Sequence, residues 1–413
     1  MTAYPSADTI VLGEYQIVPV ALAVEDAQYL RDHLSNRITL ARSLDGDGFT
    51  VNCNQFVGVV TLPSGRLLEC RPKVPVGTLF TMLAVAYDLD VPLGDDLASI
   101  ASLPQLLDFI VGHFVGLVDA RLGAGFFRDY VEVEDNLLAV RGRIAIAEDV
   151  RRNAVLRHRT YCRYTEFTHD VPDNQLIRQV VHLLTGWPIA PRLVTRLRFL
   201  DAMMGNITPT RFTVEVLDRF RYDRLKDGYR AIHQFCRLFL DGLSLENQRG
   251  GNDFRTFMID MNALFETFVT RSVTRRLPAG LSLDGQAKRS LDVGNRVTLL
   301  IDMLFTRDGR PVLVADTKYK RVETHGLGNA DVYQMLVYCV ATAVPTAVLI
   351  YPRETAAGPD SLTPIVVHHT DIRVLGLSLD LSGTATALSV ELDLLTSRIV
   401  TLVDDTPLPP DSA

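Results

Sequence analysis

Hydrophobic and polar positions follow different rhythms along this chain, and the changes of rhythm divide it into three parts. To residue 75 the pattern is short and strand-like. Gly13 to Val20, Thr50 to Gln55, Val57 to Thr61 and Arg66 to Arg71 each read as a strand, with Pro63-Ser64-Gly65 as a hairpin turn. Leu79 to Leu89 has helical spacing. Leu103 to Leu122 is a longer helix, with Leu106, Phe109, Ile110, His113, Phe114 and Leu117 spaced along it. A strand pair is expected within Tyr130 to Ile146, turning at Glu134-Asp135-Asn136. The spacing then predicts helices over Asp173 to Leu184, Arg192 to Met204, Val214 to Arg224 and Gly228 to Leu243.

Gln248-Arg249-Gly250-Gly251-Asn252-Asp253 is polar and glycine-rich, as a linker is. Beyond it, Phe257 to Leu277 reads as one amphipathic helix whose apolar stripe is Met261, Leu264, Phe265, Phe268, Val269 and Val273. Strands follow, then a helix from Asp331 to Ala343 and a buried strand from Thr346 to Tyr351. Helix, strands, helix, strand is the order of an α/β sandwich. The expected class is α+β: a β-rich N-terminal domain (1–150), a mainly helical middle section (151–247) and a C-terminal α/β domain (253–403). The tail after Asp404, rich in Pro and Asp, reads as disordered.

The chemistry concentrates in two apolar strands. Leu299-Leu300-Ile301-Asp302 and Val314-Ala315-Asp316-Thr317-Lys318 form a hairpin in which each strand delivers a carboxylate. Ionised groups in buried strands are costly unless paired or bound to metal. Asp316 and Lys318, at i and i+2, leave the same face, and Asp302 can meet them from the neighbouring strand. This D-x(13)-D-x-K spacing resembles the core of the PD-(D/E)xK nucleases. On that reading Asp302 and Asp316 hold Mg²⁺, with the Thr317 carbonyl as a further ligand, since Mg²⁺ prefers a few hard oxygens plus substrate phosphate. Lys318 either orients or deprotonates the attacking water, or neutralises the phosphate. Glu266, polar beside the apolar stripe, is either a further ligand or supporting group, or an ordinary solvated glutamate. Gln334 and Tyr338, at i and i+4, share a helix face and can hydrogen-bond the lysine or a DNA phosphate. The competing reading of Asp302, Asp316 and Lys318 is a structural salt-bridge cluster.

Charge adds to this picture. The net charge of −7 argues against a nucleic-acid coat over the whole surface, but basic residues crowd the stretch from Arg271 to Arg321, around the candidate site. That coincidence suggests a cradle for a phosphate backbone. A second cluster (Arg151, Arg152, Arg157, His158, Arg159, Arg163) suits a DNA face about as well as a solvated or partner-binding face. The five scattered cysteines make no C-x-x-C pair, so they are expected to be buried free thiols, and His368-His369 to be structural residues of a strand. No apolar run is long enough to span a bilayer, and the first residues lack a signal-peptide pattern, so a cytoplasmic location is expected. No G-x-x-x-x-G-K-[ST] occurs, so the chain has no P-loop of its own.

Several separate stretches together resemble the McrC family, the nuclease subunit of McrBC-type restriction systems. They are Phe56-Val57-Gly58-Val59-Val60 through Glu69-Cys70-Arg71-Pro72-Lys73-Val74, Leu138-Ala139-Val140-Arg141-Gly142-Arg143-Ile144, Asp170 to Ile177, Phe265-Glu266, Asp302, Asp316-Thr317-Lys318-Tyr319-Lys320 and Tyr333 to Tyr338. The resemblance implies a Mg²⁺-dependent endonuclease acting on double-stranded DNA. It also implies a McrB-like AAA+ GTPase hexamer as partner, which translocates DNA and reads the modified cytosine. The N-terminal part of this chain would insert into that ring and stimulate GTP hydrolysis. Ile301, where the family often has proline, and Thr317, where it usually has an apolar residue, are both compatible with strands. A different class also fits: a non-catalytic adaptor on a nuclease-like scaffold that only activates the partner. A nuclease of RNA or branched DNA is a third reading.

Overall fold

The computed structural model describes residues 9–42, 48–91, 100–155, 158–242, 256–320, 327–353 and 361–405. The front of the chain contains β1 (Thr9–Gly13), β2 (Val18–Val20), α1 (Val24–His33), β3 (Thr39–Arg42), β4 (Phe49–Asn52), β5 (Phe56–Thr61), β6 (Leu67–Arg71) and α2 (Val76–Ala86). β5 and β6 pair antiparallel around the expected turn, where Gly65 takes φ +84°. β1 lies parallel to β6, while β2, β4 and β3 form a separate small sheet. The single strand expected over Gly13 to Val20 is therefore broken. Gln16 folds back on Gly13 through its backbone N–H and its side chain, and Tyr15 turns to φ 59°, so the two ends enter different sheets. The cysteine expectation is also corrected. Cys53, after β4, and Cys70, within β6, are both fully buried and joined as a disulfide with Cα atoms 6.3 Å apart, a separation such bonds accept. Cys162, Cys236 and Cys339 are free and buried.

The middle holds α3 (Leu103–Ala124), β7 (Asp129–Leu137), β8 (Arg143–Ile144), α4 (Ile146–Asn153), β9 (Thr160–Thr168), α5 (Pro172–Leu184), α6 (Pro191–Met203), α7 (Val214–Leu217) and α8 (Asp227–Gly242). α3, α5, α6 and α8 pack together through Ile110, Phe114, Ile177, Leu197, Phe235 and Phe239. The helix expected over Val214 to Arg224 stops at Leu217. Between α3 and α5 the chain leaves this bundle as an arm, a sheet of order β7-β9-β8 with α4 against β9. The turn expected at Glu134-Asp135-Asn136 is absent. Those residues pair with Arg163, Cys162 and Tyr161 across the sheet, so distant strand pairing overrides their turn propensity and the chain reverses beyond Leu137. The arm spans position 150.

At the root of the arm Asn174 is fully buried. Its amide donates to the carbonyls of Phe127 (2.9 Å) and His169 (2.7 Å), which flank the two ends of the arm. The Tyr229 hydroxyl accepts from Phe127 N–H at 2.7 Å and donates to Asn174 Oδ1 at 2.6 Å. These four bonds satisfy polar groups that burial would otherwise penalise.

The linker reading at 248–253 falls outside the described residues, as do the last residues of the tail. The third part contains β10 (Thr256–Asp260), α9 (Met261–Thr274), β11 (Leu281–Ser290), β12 (Thr298–Arg307), β13 (Arg310–Thr317), α10 (Asn329–Thr342), β14 (Thr346–Arg353), β15 (Ser361–Val366), β16 (Arg373–Asp380) and α11 (Ala385–Asp404). The helix expected from Phe257 begins only at Met261. Thr256–Asp260 is instead a strand that completes the N-terminal sheet, whose order is β1-β6-β5-β10. Gly58 permits this close pairing, because a Cβ there would stand 1.9 Å from the Phe257 carbonyl oxygen. Asp260 then caps α9, accepting from the N–H groups of Asn262 and Ala263.

The remaining strands form a six-stranded sheet of order β11-β12-β13-β14-β16-β15, antiparallel at both ends and parallel from β13 through β14 to β16. The Asp308-Gly309 turn between β12 and β13 has φ of 51° and 78°, as a tight hairpin requires. α10 covers one face through Met335, Tyr338 and Cys339, while α9 and α11 cover the other. His368 and His369 lie in the turn between β15 and β16, not within a strand, and His369 takes φ 61°.

Candidate active site

β12 and β13 bring the two aspartates together. The register Met303↔Ala315 sets Asp302 and Asp316 side by side on adjacent strands. Asp316 is fully buried, and neither of its carboxylate oxygens accepts a well-directed hydrogen bond. Lys318 Nζ lies 2.5 Å from its Oδ2. Burial raises the Asp316 pKa far above the ordinary carboxylate range. Asp302 pushes it in the same direction by sharing a hydrogen bond and by its charge, and Lys318 opposes both. Without a cation, Asp316 therefore keeps its proton to higher pH than an ordinary carboxylate does.

The lysine is held from α10. Lys318 Nζ donates to Gln334 Oε1 at 2.9 Å, and Gln334 Nε2 donates to the Tyr338 hydroxyl at 2.8 Å. That hydroxyl donates in turn to the Leu300 carbonyl at 2.7 Å, on the strand that carries Asp302. Burial pushes the Tyr338 pKa up to about 12, so the phenol remains a donor. Both expected α10 residues thus reach the lysine network, Gln334 directly and Tyr338 through it.

Glu266 comes from the second turn of α9. Burial raises its pKa and the nearby Asp316 charge adds to the rise, whereas hydrogen bonding to Gln286 lowers it. Sequence reading overlooked Gln286. Its Nε2 donates to Glu266 Oε1 and, at 3.3 Å, to Asp302 Oδ1. A glutamine in a strand carries no signal of this role. Thr317 is buried between Asp316 and Lys318 at the end of β13. Among the described residues no group of three or more His, Cys, Asp or Glu side chains is placed to hold a metal ion. The donor set is two strand carboxylates with Glu266 tied back by an amide, an open oxygen site of the kind Mg²⁺ shares with water and phosphate. Oδ1 of buried Asp316, which has no hydrogen-bond partner, fits such a hard cation.

The basic cradle is reduced by internal pairing. Arg275 binds Asp88, Arg276 Asp393, Arg296 Asp292, Arg307 Asp404 and Lys320 Asp331. Lys288, exposed on β11 beside Gln286, makes no ion pair among the described residues, and Arg321 lies outside them. The second basic cluster sits on the arm. There Arg151 and Arg152 pair with Glu148, and Arg163 with Glu134, while Arg157 lies outside the described residues. Among the described residues no helix is long and apolar enough to cross a membrane.

Fold and site together define the class: a mixed α+β protein whose candidate site is a pair of strand aspartates backed by a lysine. The chain belongs to the family described as the McrBC 5-methylcytosine restriction system component, whose model matches residues 51–352. Among solved structures it is similar to a chain of a half-complex from the tetradecameric assembly of Thermococcus gammatolerans McrB AAA+ hexamers with bound McrC. The TM-score is 0.61 at 19% identity, covering 95% of this chain and 100% of that one. The cryo-EM structure of the Thermococcus gammatolerans McrBC complex also matches, with a TM-score of 0.42 at 21% identity over 65% of this chain and 88% of that one. No curated protein sequence matches significantly.

Proposed function

We propose that this chain is the metal-dependent DNA endonuclease subunit of a modification-dependent restriction system, cutting when coupled to an AAA+ GTPase partner whose hydrolysis it stimulates. The observation that carries the reading is the fully buried Asp316 carboxylate set beside Asp302 and ion-paired to Lys318. The order α9, β11, β12, β13, α10, β14, with Asp302 on β12 and D-x-K at the end of β13, supports a PD-(D/E)xK nuclease core for residues 253–403.

Asp302, Asp316 and the Thr317 carbonyl would hold Mg²⁺, which when bound polarises the phosphoryl oxygen and acidifies a water. Gln334 fixes the lysine ammonium beside that position, where it orients the water or offsets charge on the phosphate. Glu266 supports the carboxylate pair from α9. Lys288 supplies backbone attraction for double-stranded DNA, and recognition of the modified cytosine is left to the partner.

The similar solved chain is McrC bound to McrB AAA+ hexamers, and we assign the arm β7-β9-β8 of this chain to the equivalent contact. Tyr130, Leu138, Ile146 and Val150 are exposed on it, an apolar surface of the kind protein partners cover. Arg141 is stacked 4.2 Å over the Tyr164 ring, which stiffens the Arg141-Gly142-Arg143 turn.

The test combines the purified chain with its AAA+ partner, GTP, Mg²⁺ and methylated DNA. Asp316→Ala and Lys318→Ala are each expected to abolish cleavage while GTPase stimulation persists. Cleavage that survived either change would refute the site. A wild-type complex that stimulated hydrolysis yet never cut DNA with Mg²⁺ or Mn²⁺ would establish the adaptor reading instead.

A further inference from the structure

Gln286 lies opposite Asp302, between the paired positions Gly285↔Met303 and Ala287↔Ile301. There the β11 backbone turns to φ 58°, a conformation that disfavours residues with a Cβ and that glutamine rarely takes. Such local strain persists when surrounding contacts impose it, and it gathers at functional positions. Here the contacts are two carboxylates. Gln286 Nε2 donates to both Glu266 on α9 and Asp302 on β12. Its neighbour Gly285 brings β11 close to α9, since a Cβ at Gly285 would stand 3.3 Å from Thr270 Cγ2.

A neutral amide suits this place for an electrostatic reason. Glu266 and Asp302 repel each other when ionised, and a donor between them relieves the repulsion without adding a positive charge that would expel a cation. We infer that Gln286 is a positioning residue. It fixes the Asp302 carboxylate by tying it to Glu266 on α9, and the inference rests on the reading that Asp302 and Asp316 bind a divalent cation. Outer groups that orient metal ligands typically alter affinity by about ten- to a hundredfold when removed.

The experiment titrates Mn²⁺, followed by electron paramagnetic resonance, into the full-length wild-type protein and into Gln286→Gly and Asp316→Asn variants, with a thermal melt of each. Glycine accepts the positive φ, which offsets the two lost hydrogen bonds, so Gln286→Gly is expected to melt close to the wild-type temperature while binding Mn²⁺ about ten- to a hundredfold more weakly. Unchanged affinity in that variant, with binding lost in Asp316→Asn, overturns the role of Gln286 and leaves the cation site standing. A fall in melting temperature alongside the weaker binding also overturns it, because the residue would then be structural. Wild-type Mn²⁺ affinity in Asp316→Asn overturns the cation site itself.

Discussion

The ammonium of Lys318 donates to Oε1 of Gln334 at 2.9 Å, and this bond decides which way the amide faces. Its Nε2 must then point to Tyr338, whose hydroxyl closes on the Leu300 carbonyl two residues before Asp302. Lysine and aspartate are thus tied to each other through α10.

Breaking that tie should affect activity more than stability. Gln334→Leu leaves Lys318 without its acceptor and is expected to slow cleavage by about ten- to a hundredfold. Tyr338→Phe removes one link and should lower stability by only about 1 kcal/mol. Paired measurements of cleavage rate and denaturant unfolding check this. Equal cleavage in wild type and Gln334→Leu would remove the network from the mechanism.

The raised pKa of Asp316 predicts a pH dependence. Asp316 titrates higher in the folded protein than in the unfolded chain, so the native state binds more protons between the two pKa values. In metal-free protein the site's contribution is present at low pH and is lost as pH rises from about 4 toward neutrality. Asp316→Asn should flatten that part of the stability profile. Cation uptake must release the proton, so Mn²⁺ affinity of the wild type should strengthen as pH rises over the same range. Melting curves with and without Mn²⁺ across pH read both effects, and a pH-independent affinity would contradict the raised Asp316 pKa.

Asn174 predicts a structural effect. Alanine there leaves the carbonyls of Phe127 and His169 and the Tyr229 hydroxyl without their buried partner, at a cost of about 3 kcal/mol. Both ends of the arm are released together. Denaturant unfolding gives the loss of stability, and limited proteolysis should show new cuts near Phe127 and His169.

Gly142 tests the assignment of the arm. It takes φ +70°, and a Cβ there would come within 2.5 Å of the Arg163 carbonyl oxygen. Gly142→Ala should therefore displace the Arg141–Arg143 turn without reaching the helical bundle. The expected result is at least about tenfold weaker partner binding, equivalent to about 1.4 kcal/mol, with an unchanged main melting transition. Titrating GTPase stimulation against concentration of this chain provides the measurement.

Local chemistry made some of this architecture legible and hid the rest. The β12–β13 hairpin, α3, α10 and the pairing of Asp302 with Asp316 follow from periodicity and spacing within short windows. Thr256–Asp260 was misleading because Phe257, Met258 and Ile259 suit a helix stripe as well as a buried strand. The choice was made by β5, nearly two hundred residues earlier in the chain. Asp135 and Asn136 carry turn propensity but sit in β7 because β9 pairs with them. Gln286 was invisible for a similar reason, since its role depends on Glu266 and Asp302 arriving from two other elements.

One consequence follows from the passage of the chain back through the front sheet. A cut at the glycine-rich segment before β10 would strip the N-terminal sheet of an edge strand and leave that strand with nothing to pair to. It would also part Tyr319, next to Lys318, from Glu14, to which its hydroxyl donates at 3.1 Å. The half bearing Asp316 therefore draws part of its support from residues at the other end of the chain.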